Sequence, residues 1–319
     1  MKVEPLPGGG VRVRASAKIN LYLEILGIRP DRYHEIDTIM EEISLHDDLE
    51  IRPLESPGGG PRLEIRGPDG APSALAPSPD NLVLKAARLL AKRFSLPVCR
   101  TPALDILLTK RIPIGAGLGG GSSDAAGTLL GLSSFWGLPA SREDLAPLAA
   151  ELGSDVAFFL HGGAARCRGR GEIIDPLPPR PPDAPGHYVL LSPGVEVSTS
   201  WIYSELDRAA NWPVSPTATL TAKSPLDTMS PESIWKELRK GHLFKNRLEP
   251  IACKAFPEIE CCLNELRREP FLAVLMSGSG STVYGVCGSR GEAEEIAARL
   301  RKRLREQVFV VESEPAYLG

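Results

Sequence analysis

Between Pro113 and Ser123 the chain reads P-I-G-A-G-L-G-G-G-S-S, with five glycines in the seven residues from Gly115 to Gly121. Glycine reaches positive φ without strain, so such a segment can turn several backbone N–H groups toward one point. Ser122, Ser123 and Asp124 follow as good first residues of a helix, and the apolar run behind them predicts a helix to about Phe135. Free amides and partial positive charge at a helix N-terminus favour an anion, phosphate above all. A flexible surface loop is the plain alternative, but a well-capped apolar helix directly behind it argues for the anion cradle. A Walker-type loop needs Gly-Lys-Ser/Thr, and no lysine follows Gly120 or Gly121. Gly115, Gly117 and Gly120 spell a literal G-x-G-x-x-G. The dinucleotide version wants a strand running straight into its first glycine, whereas Lys110-Arg111-Ile112-Pro113 intervenes here.

The rest of the chain sets the surroundings of this cradle. Its 319 residues suggest about two domains, and 42% apolar with 24% charged residues is ordinary for a globular protein. The net charge of −3, from 37 basic and 40 acidic residues, gives no reason to expect nucleic acid or an anionic membrane as partner. Six cysteines, at 99, 167, 253, 261, 262 and 287, include no C-x-x-C pair, so neither a zinc site nor a disulfide framework is expected. No apolar run reaches the ~18 residues of a membrane span, and no signal-peptide pattern opens the chain. A reduced, cytoplasmic protein is the expectation.

Periodicity predicts strand, turn, strand over Val11 to Ile25, and short strands at Leu49 to Ile51 and Leu63 to Ile65 around a Pro57-Gly58-Gly59-Gly60 turn. It predicts helices at Asn81 to Phe94, Arg142 to Leu152 and Asp155 to Leu160, and a strand at Leu104 to Thr109. Six prolines between Asp175 and Pro185 exclude regular structure there, which puts a boundary between domains 1–175 and 186–319. The second half reads as a strand at His187 to Leu191 and helices near Ser230 to Lys240 and Ile259 to Arg268. Strand, Ser-Gly turn and strand follow over Ala273 to Cys287, then a helix at Arg290 to Arg305 and a last strand. Strands and helices without strict alternation indicate α+β in both halves.

In Pro113 to Ser123 the sequence resembles the GHMP kinases, whose motif looks like P-x-G-x-G-L-G-[GS]-S-S, here with one extra glycine. Ser16-Ala17-Lys18-Ile19-Asn20-Leu21, Tyr33-His34 and Gly153-Ser154-Asp155-Val156-Ala157-Phe158-Phe159 are similar to the branch acting on 4-diphosphocytidyl-2-C-methyl-D-erythritol. Ser277-Gly278-Ser279-Gly280-Ser281 resembles the superfamily's third motif. Two positions depart from that pattern: Arg32 replaces a glycine and Ala157 a proline. The resemblance implies a two-domain GHMP kinase fold with its active site in the inter-domain cleft. It implies ATP as co-substrate, Mg2+ with the nucleotide, and direct in-line transfer to the 2-hydroxyl of the cytidyl alcohol in the non-mevalonate isoprenoid route. Homoserine or mevalonate kinase is the near alternative, and a non-catalytic nucleotide sensor the distant one.

Carried over residue by residue, the resemblance makes Asp155 the base and Lys18 the cation that stabilises the transferred phosphoryl. Without it, Asp155 reads as a helix cap and Lys18 as an outward strand lysine. Pro113, Ile114, Gly115, Ala116, Gly117, Leu118, Gly119, Gly120, Gly121, Ser122 and Ser123 would hold ATP, with Asn81 beside the adenine or simply capping its helix. Ser123 is the one side chain suggested as a magnesium ligand. Asn20, Tyr33, His34, Thr199 and Tyr203 would bind the cytidyl substrate, the aromatics sandwiching its base; core packing is the alternative for the two tyrosines.

Overall fold

The computed structural model describes residues 1–54, 61–73, 75–96, 104–210 and 223–316. Its first half is a sheet with helices on one face. Strands β1 (Lys2–Pro5), β2 (Val11–Ile28), β3 (His34–Pro53) and β4 (Arg62–Arg66) are followed by α1 (Leu82–Arg93) and β5 (Leu104–Thr109). Then come α2 (Gly120–Phe135), α3 (Arg142–Leu152), α4 (Val156–His161), β6 (Ala164–Gly169) and β7 (Ile173–Pro176). The turn expected at Pro57 to Gly60 lies outside the described residues.

Val11–Ile28 is one strand rather than the expected strand, turn, strand. Its antiparallel pairing with β3 passes through irregularities at Ser16/Ala17, Asn20/Tyr22 and Ile25/Gly27. Bulges of this kind re-aim side chains without ending the ladder. The segment Leu49 to Ile51 is likewise the end of a 20-residue strand. Strand β3 forks: Ile36 to Glu41 pair with β6 and Asp48 to Pro53 with β5. Asp175 and Pro176, assigned from sequence to an irregular stretch, close β7. Proline is tolerated there because β7 is an edge strand paired only with β6.

The second half contains β8 (His187–Ser192), α5 (Thr199–Ala210), α6 (Pro231–Arg239), β9 (Lys245–Asn246), α7 (Glu249–Ala255) and α8 (Pro257–Leu266). It ends with β10 (Val274–Met276), β11 (Val283–Cys287), α9 (Arg290–Arg303) and β12 (Gln307–Glu312). Its sheet has the order β10-β11-β8-β12. Strand β9 belongs to the first sheet instead, running parallel to β2 at Tyr22 and Leu23.

Three apolar clusters follow from this layout. One joins α1 to α4 to the first sheet, through Val13, Leu49, Leu90, Leu129 and Phe158. A second lies within the C-terminal half around Val189, Ile202, Leu263 and Ile296. The third is shared: Ala17, Ile19, Leu21 and Ile39 pack with Tyr188, Leu190, Leu275 and Tyr284. Strand β2 is therefore covered on both faces in its middle, so Ser16, Lys18 and Asn20 are buried polar residues that need partners. No helix among the described residues is long and apolar enough to cross a membrane.

Candidate active site

A cleft of ≈ 1030 Å³ is lined by the loop from Pro113 to Ser122, the first two turns of α5, and the Gly278-Ser279 turn between β10 and β11. Helix α2 starts at Gly120, two residues before the serines expected to open it, because Gly119 takes the N-cap position at φ +71. A side chain is excluded at two points of the loop. A Cβ on Gly117 (φ +76) would lie 2.1 Å from the Ser277 carbonyl oxygen, and one on Gly119 would press on Phe159 and Lys18. The loop carbonyls are taken by protein donors: Lys18 N–H donates to Leu118 O (3.0 Å) and Thr282 N–H to Ala116 O (3.1 Å). The Ser277 hydroxyl donates to Gly117 O (3.0 Å). The amides of Gly120, Gly121 and Ser122, first in α2, have no intrahelical acceptor and belong to cleft-lining residues. Such an arrangement can cradle an anion.

Ser123 does not belong to it. The residue is fully buried, its hydroxyl donates to Ser16 O (2.6 Å), and its amide donates to Gly119 O. The expectation that Ser123 contacts ATP or magnesium is withdrawn, because helix α2 begins early enough to turn this side chain onto β2. Among the described residues no group of three or more His, Cys, Asp or Glu could hold a metal ion.

Beneath the cradle sits an ion cluster that sequence reading did not assemble. Lys110 Nζ donates to Asp47 (2.5 Å) and Asp124 (2.8 Å), all three buried, and a Cβ on Gly120 would stand 3.2 Å from that Nζ. Asp47 also accepts the amides of Arg111 and Ile112, which shapes the corner entering the loop. Asp124 Oδ1 has no partner. Burial pushes the Asp124 carboxyl up to about 7, with Lys110 pulling down and Asp47 pushing up. Burial alone would lower Lys110, but its two carboxylates outweigh this and raise it.

On the other side of the loop, Lys18 Nζ lies 3.6 Å from Asp155 Oδ2 and donates to Asn20 Oδ1 (2.6 Å). Asn20 is fixed in turn by donating to Thr38 Oγ1, which donates to Tyr22 O. Asp155 occupies the N-cap position of α4, yet its side chain makes no capping hydrogen bond; the carboxylate faces Lys18 instead. Gly278 closes over the pair, since a Cβ there would meet Lys18 Nζ and Asn20 Oδ1. Asn246 Nδ2 donates to Met276 O and Gly278 O and so holds that turn; nothing in Lys245-Asn246-Arg247 signals this in the sequence.

The far end of the cleft is aromatic. His34 and Tyr203 have ring centroids 4.6 Å apart, Arg170 lies over the Tyr33 ring at 4.7 Å, and Tyr33 is 54% exposed. His34 Nε2 is 2.7 Å from Asp207 Oδ1. Thr199, whose hydroxyl meets that of Ser279 at 3.2 Å, Tyr203 and Asp207 stand at i, i+4 and i+8 along α5, hence on one face. That spacing is legible in the sequence once a helix is assumed. Asn81 caps α1 by accepting the Val83 amide (2.9 Å) and also lines the cleft.

Residues 81–163 match the GHMP kinases N terminal domain and residues 230–306 the GHMP kinases C terminal domain. The 4-diphosphocytidyl-2-C-methyl-D-erythritol kinase of Pelotomaculum thermopropionicum is 39% identical over 302 residues, 93% of this chain and 95% of that one. The chain belongs to the GHMP kinases. A second GHMP kinase relative, the enzyme of the same name from Geobacillus thermodenitrificans, is 38% identical, with 94% of this chain and 95% of that one covered. A crystal structure of 4-(cytidine 5'-diphospho)-2C-methyl-D-erythritol kinase superposes with a TM-score of 0.70 at 33% identity, covering 95% of this chain and all of the other. The L. major mevalonate kinase, at 17% identity and a TM-score of 0.69 over 98% of this chain and 99% of that one, shares the fold.

The two departures from the branch's motifs also find their place. Arg32 adopts φ +68, the left-handed conformation a glycine takes without strain; a side chain there costs roughly 1–2 kcal/mol. The turn keeps its shape, with Arg29 N–H donating to Tyr33 O (2.7 Å). Ala157 is the second residue of α4, in a first turn that also accepts proline.

Proposed function

We propose that this GHMP kinase transfers the γ-phosphoryl group of ATP to the 2-hydroxyl of 4-diphosphocytidyl-2-C-methyl-D-erythritol. The observation that carries the reading is the position of the Lys18–Asp155 pair, 3.6 Å apart, in the same cleft as the anion cradle and the aromatic end. Free amides at the start of α2 take the ATP phosphates, with Asn81 beside the adenine. Tyr33, Tyr203 and His34 take the cytosine of the acceptor, and Asn20 and Thr199 its polar part. The hydroxyl proton passes to Asp155 as the oxygen attacks the γ-phosphorus, the bond to the β-phosphate oxygen breaks, and ADP leaves. Lys18 stabilises the charge on the attacking oxygen and the transferred group. Magnesium would be held chiefly by the nucleotide's phosphates and water rather than by protein side chains, and would supply positive charge against the phosphates. A cytoplasmic location, without nucleic acid or membrane as partner, goes with this chemistry.

A coupled assay of ADP release over a panel of alcohols tests the proposal. Turnover is expected with the cytidyl alcohol, and homoserine and mevalonate, which carry no base to stack, should be poor acceptors. Equal or better turnover of either would refute the assignment.

A further inference from the structure

Asp207 has no part in the phosphoryl transfer, yet it lies in the cleft on the one face of α5 that also carries Thr199 and Tyr203. Its Oδ1 is 2.7 Å from His34 Nε2. His34 is held from two sides: the Tyr203 ring lies against it at 4.6 Å, and the carboxylate one helical turn on takes one of its ring nitrogens. The His34 side chain is 13% exposed and that of Asp207 36%, so the contact is partly shielded from water. A carboxylate is acceptor-only, so Nε2 must carry the hydrogen; in the neutral ring Nδ1 is then an acceptor.

We propose that Asp207 is a positioning and specificity residue that fixes the His34 tautomer, so that the ring accepts a hydrogen bond from an exocyclic amino group on the bound base. This rests on the reading of His34 and Tyr203 as the base site. Cytosine presents an amino donor at position 4 and uracil a carbonyl acceptor there. An Nδ1 acceptor welcomes the first and leaves two acceptors facing each other with the second. Sites that distinguish donor from acceptor discriminate strongly, because the wrong base leaves buried polar groups unpaired. Without Asp207 the imidazole is free to place its hydrogen on Nδ1 and would accommodate either base.

The test compares the wild-type protein with Asp207→Ala and Asp207→Asn. Turnover is measured with the cytidyl alcohol and its uridyl analogue, and 15N NMR of the His34 side chain reads the tautomer without reference to activity. In the wild type the spectrum should show hydrogen on Nε2 and a lone pair on Nδ1. In Asp207→Ala the cytidyl-over-uridyl ratio of kcat/KM should fall by about 10-fold or more, while the KM for ATP stays put. A purely structural role would lower both substrates together and leave the ratio intact, and that result overturns the proposal. So does an Nδ1–H tautomer in the wild type. A wild type inactive on the cytidyl alcohol would instead overturn the function proposed above and the base selection with it, while the NMR result still decides the tautomer.

Discussion

The Asp47–Lys110–Asp124 cluster makes a prediction whose size follows from its geometry. Two carboxylates share one ammonium in a buried site, so the cluster carries an uncompensated negative charge unless a proton is retained. Asp47 is saturated with donors from Lys110, Arg111 and Ile112. Asp124 has an oxygen without a partner, so the proton belongs on Asp124. Its carboxyl is pushed up to about 7 from an ordinary 3.8. Between those values the native state binds a proton that the unfolded chain has released. The stability contributed by this group is therefore fully present below the ordinary value and lost as pH rises through the native one. Each pKa unit is worth about 1.4 kcal/mol, so the loss over roughly three units is on the order of 4 kcal/mol. Asp124→Asn keeps the shape and an acceptor for Lys110 but titrates no proton. Its stability relative to wild type should improve by that amount between about pH 4 and about pH 8. Urea unfolding of both proteins across this range, compared at equal m, measures the gap. A gap constant to about 0.5 kcal/mol, the spread of an unremarkable substitution, would show that no proton is held and refute the reasoning.

Asp155→Asn should reduce kcat by at least ~10²-fold with ATP binding unchanged. Because Asp155 caps nothing, Asp155→Ala should leave the melting temperature near wild type; loss of the ~1 kcal/mol of a cap would contradict this. Gly117→Ala places a Cβ 2.1 Å from the Ser277 carbonyl oxygen at positive φ and should cost on the order of 1–3 kcal/mol and weaken ATP binding. Gly121→Ala meets only Leu82 at 3.8 Å and should be stable within about 0.5 kcal/mol, as thermal melts of the pair would show.

What could be read from residues alone was what short local patterns encode. The glycine loop, the helices at 82–93 and 142–152 and the strand at 104–109 depend on spacing within a few residues, and they stand where periodicity puts them. Lys18 and Asn20 stood out only through the family resemblance, since from the residues alone Lys18 reads as an outward strand lysine. The partnerships were not, because they join distant segments: Asp207 to His34 across 173 residues, and Lys110 to Asp47 across 63. The continuity of β2 was hidden because its middle is buried on both faces, which erases the alternation that identifies a half-buried strand. Ser123 misled because a serine after glycines reads as a free N-terminal hydroxyl, whereas the helix starts at Gly120 and carries that hydroxyl inward.

The shared cluster of Ala17, Ile19, Leu21 and Ile39 with Tyr188, Leu190, Leu275 and Tyr284 also bears on how the chain is made. When Pro176 completes β7, only β9 of the first sheet and the residues that cover its second face are still to be made, and Tyr284 is 108 residues further along. At about 5–20 residues per second that interval is roughly 5–20 s. Until then the nascent first half presents an incompletely covered apolar face beside its helical layer. A fragment ending at Pro176 would carry that face permanently and should aggregate, however well its own hydrogen bonds are formed.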